Sequence, residues 1–226
     1  MIRKVTVLSA FVISILWATF LLSPNVTLTT AVAQGCPNNR CYAGGYWSTG
    51  KYGVYAQIYT INPSIYNDPF IWPDFVAEWD TILFSYSPVY FVQVGYSKGE
   101  DTGNVLKYYR EKYDGSGHDL YFFGDGPSQG TWHSYQITYV SGGQYTFYID
   151  TGSRGSYTVN PYTPIELQAF VETTNTHITI NGSWFKQLSY YDGRTWPLWL
   201  SLTTYSTPPY SVTKISNSEF KASGGG

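Results

Sequence analysis

Charge is scarce in this sequence. Lys and Arg number 13 against 15 Asp and Glu, only 12% of the residues, for a formal net charge of −2. No basic run stands out, so nucleic acid and anionic membrane surfaces are excluded as expected partners. Cysteine is limited to Cys36 and Cys41, and histidine to His118, His133 and His177. No histidine pair has i, i+4 spacing and no second cysteine pair exists, so neither a metal site nor a cofactor is expected. The three histidines read as surface or hydrogen-bonded structural groups. A Gly-x-Ser-x-Gly elbow is missing, which excludes that serine-hydrolase plan. A Gly-rich phosphate loop followed by Lys-Ser/Thr is missing as well.

Long apolar runs are limited to one, Val5 to Leu22. Arg3 and Lys4 precede it, and Ala31-Val32-Ala33 follows as a small-x-small cleavage site. Residues 1–33 therefore read as an export signal, with a mature chain from Gln34. The alternative is a retained anchor, because the run is nearly long enough to span a bilayer. The expected product is a secreted, soluble monomer with no membrane contact after cleavage. In an exported chain Cys36 and Cys41 are expected to form a disulfide, pinning an N-terminal segment, 34–50. The remainder suits one all-β domain, 51–222, with a flexible tail at 223–226.

What is abundant is aromatic: 23 Tyr, 12 Phe and 8 Trp. Short β-branched and aromatic runs alternate with turn signals, and no segment reads as a convincing helix. Expected strands are Val54 to Ile61, Phe75 to Phe84, Tyr90 to Tyr96, Leu120 to Phe123, Trp132 to Val140, Gln144 to Asp150 and Ser156 to Val159, while Val105 to Tyr113 suits a helix by composition and, with its tyrosines, equally a strand, which is what the family resemblance given below implies. Glu166 to Glu172, His177 to Ile180, Trp184 to Tyr191, Trp196 to Tyr205 and Val212 to Phe220 follow. Ala43 to Gly53 reads as a Gly- and Tyr-rich loop, and Asn181-Gly182 as a tight turn. Asn181-Gly182-Ser183 is a glycosylation acceptor if the host glycosylates. The pattern predicts an antiparallel β-sandwich of the concanavalin or jelly-roll kind, two curved sheets with an aromatic cleft. So many Tyr and Trp exceed what a core needs, and rings with a polar tip suit a groove.

Two strands hold the polar anomalies. In Tyr90 to Tyr96, alternation puts Phe91, Gln93 and Gly95 on one face and Val92, Val94 and Tyr96 on the other. A primary amide there needs partners, and a strand glycine such as Gly95 marks a close backbone approach. In Glu166 to Glu172, one face carries Glu166, Gln168, Phe170 and Glu172. Glu111, on the Val105 to Tyr113 strand, is a third acidic candidate for the cleft. The plainer reading of each is a solvated sheet face.

These residues resemble a family. Trp79, then Gln93-x-Gly95-aromatic fourteen residues on, and later Gln168-Ala169-Phe170-Val171-Glu172, are similar to the glutamic peptidases of the eqolisin type. The same positions resemble the neprosin domain, which has a Glu at the place of Gln93. Gly53-x-x-Ala56-x-Ile58-x-x-x-Asn62-Pro63 resembles the opening of the neprosin domain alone. There are departures: Gln168 and Phe170 replace the Glu and Trp of the eqolisin Glu-Trp-x-x-Glu strand, and Asp80 follows Trp79 where the families have an apolar residue.

The resemblance implies an acid-acting endopeptidase on protein or peptide substrates, with Gln93 and Glu172 as catalytic dyad. Glu172 would deprotonate a water, and the Gln93 amide would stabilise the oxyanion. Trp79, Gln168 and Tyr96 are the expected cleft-wall and positioning residues, although alternation sets Tyr96 opposite Gln93. Two rivals remain: a non-catalytic lectin-like or peptide-binding module on the cell surface, and a structural surface protein that self-associates.

Overall fold

The computed structural model describes residues 36–65, 75–160 and 163–226, which fall within one compact unit, Ala33–Gly226. The export signal expected at 1–33 lies outside the described residues.

Among the described residues, fourteen strands form two seven-stranded sheets whose paired neighbours all run antiparallel. The first sheet runs in the order β12 (Thr203–Ser206), β1 (Cys41–Ser48), β10 (Glu166–Thr173), β3 (Phe75–Tyr86), β4 (Val89–Gly99), β5 (Lys107–Asp114) and β6 (Gly117–Phe122). The second runs β13 (Ser211–Ser216), β14 (Glu219–Ser223), β11 (Ser183–Tyr190), β2 (Gly53–Tyr59), β7 (Trp132–Tyr139), β8 (Gln144–Ile149) and β9 (Gly152–Thr158). The expected sandwich is therefore present. Between the sheets, Ile82, Val92, Val94, Leu167 and Ala169 of the first meet Ile58, Tyr135, Ile137, Phe147 and Phe185 of the second. Each comes from the apolar half of an alternating strand, so pleat and pattern agree.

Two acids break that pattern. Glu78 and Asp80 on β3 share the core face with Ile82 and Phe84, and both are fully buried. Glu78 accepts hydrogen bonds from Tyr96 Oη and Ser183 Oγ. Neither carboxyl oxygen of Asp80 has a hydrogen bond of normal geometry; the Ala56 backbone amide is the polar group facing it. Desolvation raises Glu78 to about 8 and holds Asp80 well above the usual carboxylate range.

The structure corrects several local expectations. The Ala43 to Gly53 loop is instead largely strand β1, which adds itself beside β10. Glycine content hid it. A Cβ on Gly44 would stand 2.3 Å from Ala169 O and 2.7 Å from the Phe170 ring, so glycine is what lets β1 lie there. Val212 to Phe220 is a hairpin, β13 and β14, with its turn at Asn217-Ser218. His177 to Ile180 is a turn, and of Trp196 to Tyr205 only Thr203–Ser206 reaches strand geometry, preceded by a lone bridge from Leu198 to Ser189. The end at 223–226 is not loose. Ser223 closes β14, the Gly224 N–H donates to Asn181 Oδ1, Gly224 O accepts from the Ile180 N–H, and the Gly226 N–H donates to Thr176 O.

Candidate active site

The outer face of the first sheet carries the cleft, about 890 Å³ in volume. Its side chains sit in rows across the strands. One row runs Gln168, Thr81, Gln93, Glu111 and Leu120. The next runs Gly44, Phe170, Trp79, Gly95, Tyr109 and Phe122, and a third holds Tyr42, Glu172, Ala77 and Ser97. The middle row is the apolar floor: Trp79 lies 5.4 Å from Phe170, which meets Tyr42 edge-on at 6.2 Å. Gly95 is required there. A Cβ on it would sit 2.1 Å from Glu78 O and 2.9 Å from Trp79 Cβ, so the expected close approach is real.

Gln93 is nearly buried, 6% exposed, with both ends of its amide engaged. The Thr81 hydroxyl donates to Oε1 at 3.0 Å, and Nε2 donates to the Tyr109 hydroxyl. Glu172 lies on the same face of the sheet, its side chain 13% exposed. Trp79 Nε1 donates to its Oε2 at 3.3 Å, and Arg40 Nε meets its Oε1 at 3.0 Å. Desolvation, with the nearby negative charge of Glu111, raises Glu172 to about 7 against the opposing pull of Arg40 and Trp79. Glu111 is also raised by burial, and His118 Nε2 lies 2.6 Å from its Oε1.

The cleft thus gathers Trp79, Gln93, Gln168, Glu172 and the third acid Glu111. Gln93 and Glu172 share no hydrogen bond; they stand two rows apart with Trp79 and Tyr109 between them. Gln168 donates to Glu166 Oε1 at 2.6 Å, whose other oxygen accepts from Ser48 and Tyr86. Tyr96 is a correction. It is fully buried in the core, where its hydroxyl accepts from the Ile61 N–H and donates to Glu78. No bulge moves it across, so strand alternation holds. Cys36 and Cys41 are joined as expected.

Two residues that the sequence reading passed over complete the site. Tyr109 was findable, since alternation from Glu111 puts it on the cleft face. Arg40 was not, because strand β1 itself went unrecognised. Once β1 is known, its alternation extends Ser48, Tyr46 and Tyr42 back to Arg40 on the same face.

Comparison with known structures agrees with this architecture. A scytalido-glutamic peptidase bound to a peptide-based transition-state analogue superposes with a TM-score of 0.55 at 12% identity, covering 84% of this chain and 98% of that one. The same peptidase with another transition-state analogue inhibitor gives 0.54 at 12% identity over the same shares. SCP-B, a member of the eqolisin family in complex with the tripeptide Ala-Ile-His, gives 0.49 at 9% identity, again over 84% and 98%. The likeness is one of fold. No protein-family model matches the chain, and no curated protein matches it by sequence.

Proposed function

We propose that the chain is an exported glutamic endopeptidase, acting as a monomer on protein or peptide substrates. The observation that carries this is the Glu172 carboxyl on the face it shares with Gln93, largely withdrawn from water and raised to about 7, where a base can be ionised and its conjugate acid can still give up a proton. Ionised Glu172 takes a proton from a water as its oxygen bonds to the scissile carbonyl carbon. The carbonyl electron pair moves onto oxygen, and the second N–H of Gln93 Nε2, the one not given to Tyr109, donates to it. The C–N bond then breaks as Glu172 returns the proton to the leaving amine. Trp79 holds Glu172 from the side, and the Trp79–Phe170 floor receives apolar substrate side chains. The fold shared with glutamic peptidases supports this reading.

The pH range follows from the base. The resemblance implies acid, yet below about 7 Glu172 is mostly protonated and unable to take the water's proton. Hydrolysis is therefore expected to quicken from pH 3 toward 7. The test is incubation of the purified protein with a denatured protein at both pH values, beside the Glu172→Gln variant. Fragments from the parent alone support the dyad. Intact substrate with a folded parent at both pH values removes the peptidase reading. One observation favours a peptide-binding cleft without catalysis: Glu172 already holds Arg40 and Gln93 already holds Tyr109. That module would bind peptide equally well as Glu172→Gln.

A further inference from the structure

Arg40 is the one Lys or Arg among the described residues lining the cleft, which otherwise carries Glu100, Asp101, Glu111, Glu166 and Glu172. Its placement is built rather than incidental. Pro37–Asn39 form a single 3-10 turn, closed by the Arg40 N–H donating to Pro37 O at 3.0 Å, and Arg40 itself is extended. Both ends of this turn are anchored, because Cys36 and Cys41 are bonded to each other and buried against Ala43, Val76 and Val171. A loop this short gains little stability from closure. What the closure does fix is the direction in which Arg40 leaves the sheet. The guanidinium then lies 4.5 Å from the centre of the Phe75 ring, a second hold on its orientation, with Nε on Glu172.

We propose that Arg40 is a positioning residue: the Cys36–Cys41 loop delivers its guanidinium to Glu172, where it orients the carboxylate and favours the charged form. The role in hydrolysis rests on the peptidase reading, while the electrostatic role does not. The groups facing Glu172 and Arg40 are few. Tyr42 on β1, Tyr205 on β12 and Tyr109 on β5 are phenols, Tyr42 and Tyr109 being raised by burial. Glu111 on β5 is paired with His118 on β6, and Trp79 and Phe75 on β3 are uncharged. Glu111 opposes ionisation of Glu172 and Arg40 favours it, so Arg40 is the cation that offsets a like-charged neighbour. An opposite charge at such range shifts a carboxylate by about 1–3 pH units.

The test titrates Glu172 directly. The chain has six glutamates, so carbon-13 labelling of Glu side-chain carboxyls, with Glu172→Gln to assign the signal, reads its midpoint by NMR. In Arg40→Gln the midpoint is expected to rise by about one unit or more, with Arg40→Lys restoring part of the difference. In the parent with its disulfide reduced, the midpoint is expected to move the same way. Should Arg40→Gln fail to fold, the reduced parent decides. An unmoved midpoint overturns the proposal, whether or not the parent cleaves peptides. A shifted midpoint supports it even if no peptide is cleaved, in which case only the peptidase reading falls. If cleavage does occur, the rising limb of its pH profile moves with the NMR midpoint.

Discussion

At the scale of single residues, the proposed function separates the site into groups that would do chemistry and groups that hold them. Glu172→Gln removes the base and is expected to lower cleavage by about 10²–10⁴, the usual worth of a general base. Gln93→Ala removes an oxyanion donor and should cost about 10²–10³ in turnover; both are read from initial rates on a quenched peptide. The buried acids act on stability instead. A carboxyl raised in the folded state binds its proton more tightly there than in the unfolded chain. Glu78 therefore contributes fully below its ordinary value near 4.5, and its contribution is lost as pH rises toward about 8, at about 1.4 kcal/mol per unit. Asp80 works in the same direction. Asp114 and Asp125, depressed by Ser116 and Arg154 respectively, have the opposite sign, and their stability is lost in acid below about 4. Thermal melts should thus peak near pH 4–5 and decline toward pH 8, and Glu78→Gln should flatten that decline.

At the scale of elements, most strands were legible because alternation and burial coincide. β10 is the clear case, with Leu167, Ala169 and Val171 inward and Gln168, Phe170 and Glu172 in the cleft. What escaped was set by contacts no local pattern carries. Strand β1 exists because Gly44 and Gly45 admit Phe170 and Leu202 against a bare backbone, and in sequence those glycines look like loop. Nothing in the local pattern marks Glu78 and Asp80 as buried, yet they share the core face with Ile82 and Phe84. Gln93, Glu172 and Trp79 were visible as anomalies and through the resemblance. The row structure that keeps Gln93 and Glu172 apart depends on cross-strand register, which one strand does not reveal. Gly95 tests this level. Gly95→Ala must push a methyl into Glu78 O and the Trp79 backbone, at a cost of about 1–3 kcal/mol, read as a fall in the urea midpoint. Because β3 and β4 separate there, it should also loosen Trp79 and raise KM.

For the whole molecule, the two carboxyls combine into one pH window. In the proposed peptidase Glu172 must lose its proton near pH 7 for hydrolysis to begin, while ionisation of Glu78 near 8 works against the fold. The rate profile is expected to be narrow, with an acid limb set by the base and an alkaline limb set by unfolding. Glu78→Gln should widen it on the alkaline side alone. One feature of the topology also governs when the site comes into being. β10 does not extend an edge: it slots between β1 and β3, pairing with both, though it follows them by about a hundred residues in the chain. Until β10 arrives, β1 and β3 present two open edges and Glu172 has neither Arg40 nor Trp79 beside it. In a growing chain the floor of the cleft is therefore completed late, so that, if the proposed peptidase reading holds, the protein is assembled without an active site able to cut it on the way.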